Sequence, residues 1–126
     1  MNKLLNSALF GTRLAPLRAL VFVALVIVIS WLAFSPAPPP GASLGWDKAN
    51  HASAFAALMV SGRLAWPRLS WRTLIIGLLA YGGAIELIQT QLPPREGDWL
   101  DLLADTVGLG LGTLVFLGLR RGLGAK

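Results

Sequence analysis

LRALVFVALVIVISWLAFS, residues 17–35, decides the fold class. After Arg18 it carries no charge, and it approaches the roughly 20 apolar residues a helix needs to cross the hydrocarbon core of a bilayer. A cleavable leader is the rival reading, because Lys3, Arg13 and Arg18 precede the run and small residues follow it. The run is longer than the roughly 7–15 apolar residues of a leader core. It also ends in a stiff segment holding Pro36, Pro38, Pro39 and Pro40. The expectation is therefore a retained membrane helix.

Working outward, three more spans are predicted, at about 46–66, 73–91 and 99–119. Composition agrees with a membrane protein: of 126 residues 55% are hydrophobic and 13% charged, whereas soluble domains carry about a quarter charged. The mean hydropathy is +0.64. The chain has no cysteine, which excludes disulfides, thiolate metal sites and cysteine nucleophiles. Eleven Lys and Arg against six Asp and Glu give +5, with a pI near 10.8. Those bases sit between apolar stretches and form no basic face, so nucleic acid is not the expected partner; the lipid bilayer is. The predicted organisation is an N-terminal cytoplasmic segment at 1–16, an all-α four-helix membrane domain at 17–119 and a basic cytoplasmic tail at 120–126.

The span at 46–66 is the weakest, since its charge-free centre runs only from Ala49 to Gly62. Charge placement argues that it crosses. With four crossings and the N-terminus inside, nine of the eleven basic residues fall on the cytoplasmic side and only Lys48 and Arg95 outside. Without that crossing, Arg63, Arg68 and Arg72 would face outward, against the positive-inside bias. Trp31, Trp46, Trp66, Trp71 and Trp99 then fall near the two interfaces, as an aromatic belt requires. Both termini are expected in the cytoplasm and the chain in the bacterial inner (plasma) membrane. Short loops predict antiparallel consecutive helices, with small faces at Gly82, Gly83, Gly108, Gly110 and Gly112 for close approach.

On this topology all six acids, Asp47, Glu86, Glu96, Asp98, Asp101 and Asp105, lie in outer loops or outer helix ends, leaving a net of −4 outside. Positive-inside orientation does not account for that, because acids contribute little to it. His51 stacks one turn below Asp47, and Gln89 lies one turn past Glu86. Asp98, Asp101 and Asp105 share a stripe at i, i+3 and i+7. Glu86 and Asp105 lie roughly 7–10 Å inside their spans. Arg95 is expected over the mouth.

Purely structural roles exist for each residue. Asp47 and Asp98 can cap helices, Asp101 can complement a helix dipole, and His51 can be a packed histidine. Glu86 and Asp105 fit such roles less well, because a carboxylate at membrane depth costs several kcal/mol unless paired or wet. Pairing with His51 or Arg95 to hold helices together is the structural version of their presence.

These residues also resemble a family. DKANHASAF (47–55), YGGAIELIQ (81–89) and PPREGDWLDLLADTVGLGLG (93–112) are similar to the VanZ-like membrane proteins. Their pattern is Asp-Lys-x-x-His with a following aromatic residue, Gly-x-x-x-Glu-x-x-Gln, an Arg, then Asp-x-x-x-Asn and small residues. The resemblance covers the last two-thirds of the chain. It carries over Asp47, Lys48, His51, Glu86, Gln89, Arg95 and Asp101 as a polar signature; Asp105 departs from the family's Asn. It implies a cell-envelope context linked to teicoplanin resistance and names no reaction.

Four functions follow as alternatives. The first is a binding or accessory protein, whose outward pocket of Asp47, Lys48, His51, Glu86, Gln89, Arg95, Asp101 and Asp105 recognises a lipid-linked cell-wall precursor or an envelope protein. The second is an enzyme using His51 with Glu86 or Asp105 as acid and base, with Arg95 and Lys48 holding a phosphate or carboxylate. Ser53 offers no nucleophile beside His51, so that reaction needs activated water. The third is a divalent metal, Zn²⁺, Mn²⁺ or Mg²⁺ by ligand type, held by His51, Glu86 and Asp101, although no motif spacing marks it. A transporter fits least, since the inner half has no matching polar path.

Overall fold

A computed structural model of the protein describes residues 2–36, 41, 47–93 and 97–124. The described residues form five helices and no strand: α1 Asn2–Phe10, α2 Ala15–Phe34, α3 Asp47–Ala65, α4 Trp71–Gln89 and α5 Leu100–Gly122. The helical boundaries of α2 to α5 stand within three residues of the expected spans. Inside the stretch expected as an N-terminal segment, α1 is an additional short helix, and Arg18 seals its end by donating to the carbonyls of Ala8 and Gly11 at 2.8 Å each. Pro16 sits in the first turn of α2, where its missing N–H has no helical partner to lose. Ser70 caps α4 by accepting from the Thr73 N–H at 3.0 Å.

Three of the five helices, α2, α4 and α5, are long and apolar enough to cross a membrane. Their exteriors carry the exposed apolar side chains, among them Leu20, Ile27, Ile76, Leu103, Val107 and Leu114. No residue of α2 is fully buried, which matches its unbroken hydrophobicity. The more polar α3 has α2, α4 and α5 around it, and it contributes Phe55, Leu58 and Met59 to a core completed by Leu74, Leu78, Ile85 and Leu109. The bundle thus exposes its apolar helices and encloses its polar one.

Side-chain contacts fix the relative directions. Arg18, at the start of α2, donates to the Leu64 carbonyl at the end of α3 at 2.8 Å, so these helices run antiparallel. Ser30 meets the Tyr81 hydroxyl at 2.6 Å and Gln89 donates to the Ala33 carbonyl at 2.9 Å, so α2 and α4 run parallel. The closest pairing in the bundle joins α3 to α5, which are parallel and not consecutive. A Cβ on Gly108 would strike the Ala52 carbonyl, and one on Gly112 the Ala56 carbonyl. Small residues four apart on both helices therefore let the backbones touch. Gly110 and Gly83 face open space instead.

The start of α3, the end of α4 and the start of α5 consequently meet at one end of the bundle. The other end is basic. There Arg63 is buried, donating to the Leu69 and Pro67 carbonyls and stacking 4.2 Å from the Trp71 ring.

Candidate functional site

The acidic end contains the only histidine of the sequence, and four carboxylates surround it. Because Gly108 lets α5 lie against α3, His51 reaches Asp105 directly: its Nδ1 stands 2.8 Å from Asp105 Oδ1. An ionised carboxylate only accepts, so Nδ1 donates its proton to Asp105. Nε2 faces Asp101 Oδ2 at 3.4 Å, Glu86 Oε1 at 3.8 Å and Asp47 Oδ2 at 3.8 Å. These groups come from α3, α4 and α5. Glu86 and Asp105 are 0% exposed and Asp101 2%, whereas the Asp47 side chain, at 63%, forms the rim.

Each of the three buried carboxylates has one anchored oxygen, and in Glu86 and Asp105 the other has no hydrogen-bond partner among the described residues. Glu86 Oε2 accepts the Asp98 N–H at 2.8 Å, and its Oε1 has no hydrogen-bond partner. Asp101 Oδ1 accepts from Lys48 Nζ at 3.0 Å, and its Oδ2 turns to the imidazole. Asp105 Oδ1 accepts from His51, while its Oδ2, also without a hydrogen-bond partner, lies over Gly82, where any Cβ would collide with it. Gly82 is thus the residue that admits Asp105 to the core. It stands in the same YGGAIE stretch as Glu86, but in the sequence it looks like any small residue on a packing face.

Not every residue expected in the pocket lies in it. Gln89 turns away from the imidazole and ties α4 to α2 through the Ala33 carbonyl. Lys48 is occupied: its ammonium is shared between Asp98 at 2.9 Å and Asp101 at 3.0 Å. Arg95 and Glu96 lie outside the described residues. Ser53 is exposed on α3. Asp98 does more than begin a helix, joining Lys48, the Leu100 N–H at 2.9 Å and Glu86 in one clasp between α4 and α5.

Asp98 lies outside the helices, and the ammonium of Lys48, with help from the Leu100 N–H, holds its carboxyl below the ordinary carboxylate range. Among the described residues, Asp47, His51 and Asp101 also place one donor atom each within 4.8 Å of one another, a spacing at which a metal ion can be held. A separate groove of about 510 Å³ between α2 and α4, lined by Phe22, Val26, Leu74, Leu78 and Tyr81, is apolar and contains none of these groups.

The family model described as VanZ/LLP1 matches residues 3–120. The chain belongs to the VanZ/LLP1 family. No curated protein and no solved structure matches it. For this VanZ/LLP1 protein, the stretches that carry the resemblance are those that converge at the acidic end: the start of α3, the end of α4 and the start of α5. Asp105, where the resemblance expects Asn, is the residue bonded to His51 Nδ1. An amide oxygen could accept the same bond; the carboxylate adds a charge directly beneath the imidazole.

Proposed function

We propose that this VanZ/LLP1 protein is a four-span inner-membrane protein with both termini in the cytoplasm, whose outward acidic pocket binds a ligand of the cell envelope. Three crossings rest on hydropathy. The fourth, α3, is supported by its 19 residues, about 28 Å of helix, and by its enclosure within the bundle. A helix shielded from lipid by its neighbours need not be apolar all round. Orientation rests on the basic end, where Arg18, Arg63, Arg68, Arg72, Arg120 and Arg121 gather, and on the positive-inside bias.

One observation carries the binding reading: the Glu86 carboxylate is wholly buried, yet one of its oxygens has no hydrogen-bond partner among the described residues and lies 3.8 Å from His51 Nε2. Leaving such a group unsatisfied is costly, and an ionisable residue at membrane depth points by default to function. The family resemblance makes a cell-wall precursor or a partner protein the natural ligand, in the context of teicoplanin tolerance. The test is tolerance conferred on a susceptible host. Glu86→Gln, which keeps hydrogen bonding and removes charge, is expected to retain part of the effect, and His51→Ala little of it. Full tolerance in both variants, at unchanged expression, contradicts the reading.

The His51–Asp105 bond favours one alternative. It orients Nε2 as a general base would require, for water-mediated cleavage of an outer-leaflet substrate. Turnover of lipid-linked substrates by the purified protein, lost in His51→Ala, would establish that alternative.

A further inference from the structure

We propose that Asp47, His51 and Asp101, with Glu86 beneath them, form a binding site for a divalent transition-metal ion, zinc in preference to magnesium or calcium. This rests on the acidic pocket being a binding site and names what enters it. The donor atoms are His51 Nε2, Asp101 Oδ2, Asp47 Oδ2 and Glu86 Oε1. Asp47, His51 and Asp101 each place one ligand atom within 4.8 Å of the others', and Glu86, outside that group of three, has Oε1 3.8 Å from the nitrogen. Tetrahedral zinc, with bonds of about 2.0–2.2 Å, separates its ligands by roughly 3.3–3.5 Å. His51 and Asp101 already stand at 3.4 Å. Asp47 Oδ2 and Glu86 Oε1 each stand 3.8 Å from the same nitrogen.

The surroundings supply what such a site requires beyond its ligands. Asp105 accepts from His51 Nδ1, the carboxylate–histidine–metal arrangement that fixes the tautomer and makes the ligating nitrogen more basic. Lys48 holds Asp101 by its other oxygen, and the Asp98 N–H holds Glu86 by its other oxygen, so both are presented with little rotational freedom. Glu86 Oε1 is the independent sign of a ligand, being a fully buried acceptor aimed at the cluster with no partner. Charge points the same way. Asp47, Glu86, Asp101 and Asp105 surround one imidazole, and Lys48 is already shared with Asp98. A doubly charged cation would compensate half of that excess. Imidazole among the ligands favours zinc over magnesium and calcium, which prefer all-oxygen ligand sets.

The test uses detergent-purified protein stripped with EDTA and titrated with ZnCl₂, with bound metal measured after gel filtration. One zinc per folded chain is expected, together with a rise in unfolding temperature. Asp47→Asn, at the exposed rim where folding is least disturbed, should weaken binding at least about tenfold, and Asp105→Asn about ten- to a hundredfold. Two results overturn the proposal: folded wild type that takes up no zinc, or zinc affinity unchanged in both variants. Micelles open both ends of the bundle to the ion. A failure to bind zinc therefore leaves outward orientation and envelope function standing, and a wrong orientation leaves zinc uptake untouched.

Discussion

Asp98 joins three parts of the acidic end at once: one oxygen takes the Lys48 ammonium, the other the Leu100 N–H, and its own N–H serves Glu86. Because those donors favour its charged form, its folded-state pKa lies below the ordinary carboxyl value. Stability gained this way is fully present above the ordinary value, about 3.9, and is lost as pH falls through the depressed one. Thermal unfolding should therefore show a constant gap between wild type and Asp98→Asn from pH 7 to about 5, closing below about pH 4. The gap should be small, since Asp98 is half exposed. A gap unchanged at pH 3 would show that the carboxylate charge is irrelevant. Depth in the helix was readable for His51, Glu86, Asp101 and Asp105, because positions three and four apart stack on one face. Partner choice was not. Gln89 shares a face with Glu86 in the sequence, yet its amide reaches the Ala33 carbonyl, since α2 packs on that side of α4. Lys48 looked like a free cation because Asp98 and Asp101 lie about fifty residues away along the chain.

Among the helices, the tight α3–α5 pair positions the site. Gly108 and Gly112 rest on Ala52 and Ala56, and moving these backbones apart would pull Asp105 from His51. Gly108→Ala and Gly112→Ala are each expected to cost about 1–3 kcal/mol in unfolding in micelles. Gly110→Ala, which points into open space, should be neutral or stabilising by up to about 1 kcal/mol through helix propensity. Equal losses at all three positions would contradict this packing. The glycine face was visible in the sequence, but its partner was not, because short loops suggest pairing between consecutive helices. Hydropathy found α2, α4 and α5 readily and left α3 in doubt for a physical reason: a helix enclosed by others is not selected for contact with lipid. The end of α2 was legible from the proline run that follows it, and the starts of α3 and α5 from Asp47 and Asp98. The short α1 was not, since nine residues fold as a helix mainly by docking, here through Arg18 and the contact of Phe10 with Phe116.

Among the described residues the molecule turns apolar surfaces outward and buries Glu86, Asp101 and Asp105 at one end, where Lys48 joins them, while the other described bases gather at the opposite end. The native chain has no cysteine, so single cysteines report orientation without background. Thr90→Cys, at the acidic end, should react with a membrane-impermeant maleimide in intact cells; Ser7→Cys and Gly122→Cys should react only after permeabilisation. The reverse pattern would invert the topology. Whether the acidic core holds the bundle together, or is held in place by it for a ligand, is the central question, and one measurement separates the two: thermal unfolding of Glu86→Gln against wild type, both freed of metal with EDTA. The side-chain amide oxygen can still accept from Asp98, while the carboxylate beside His51 is gone. A binding site predicts that Glu86→Gln unfolds at the same temperature as wild type or higher. A fall of several degrees would mean that the Glu86 charge holds the helices together, and would contradict the account.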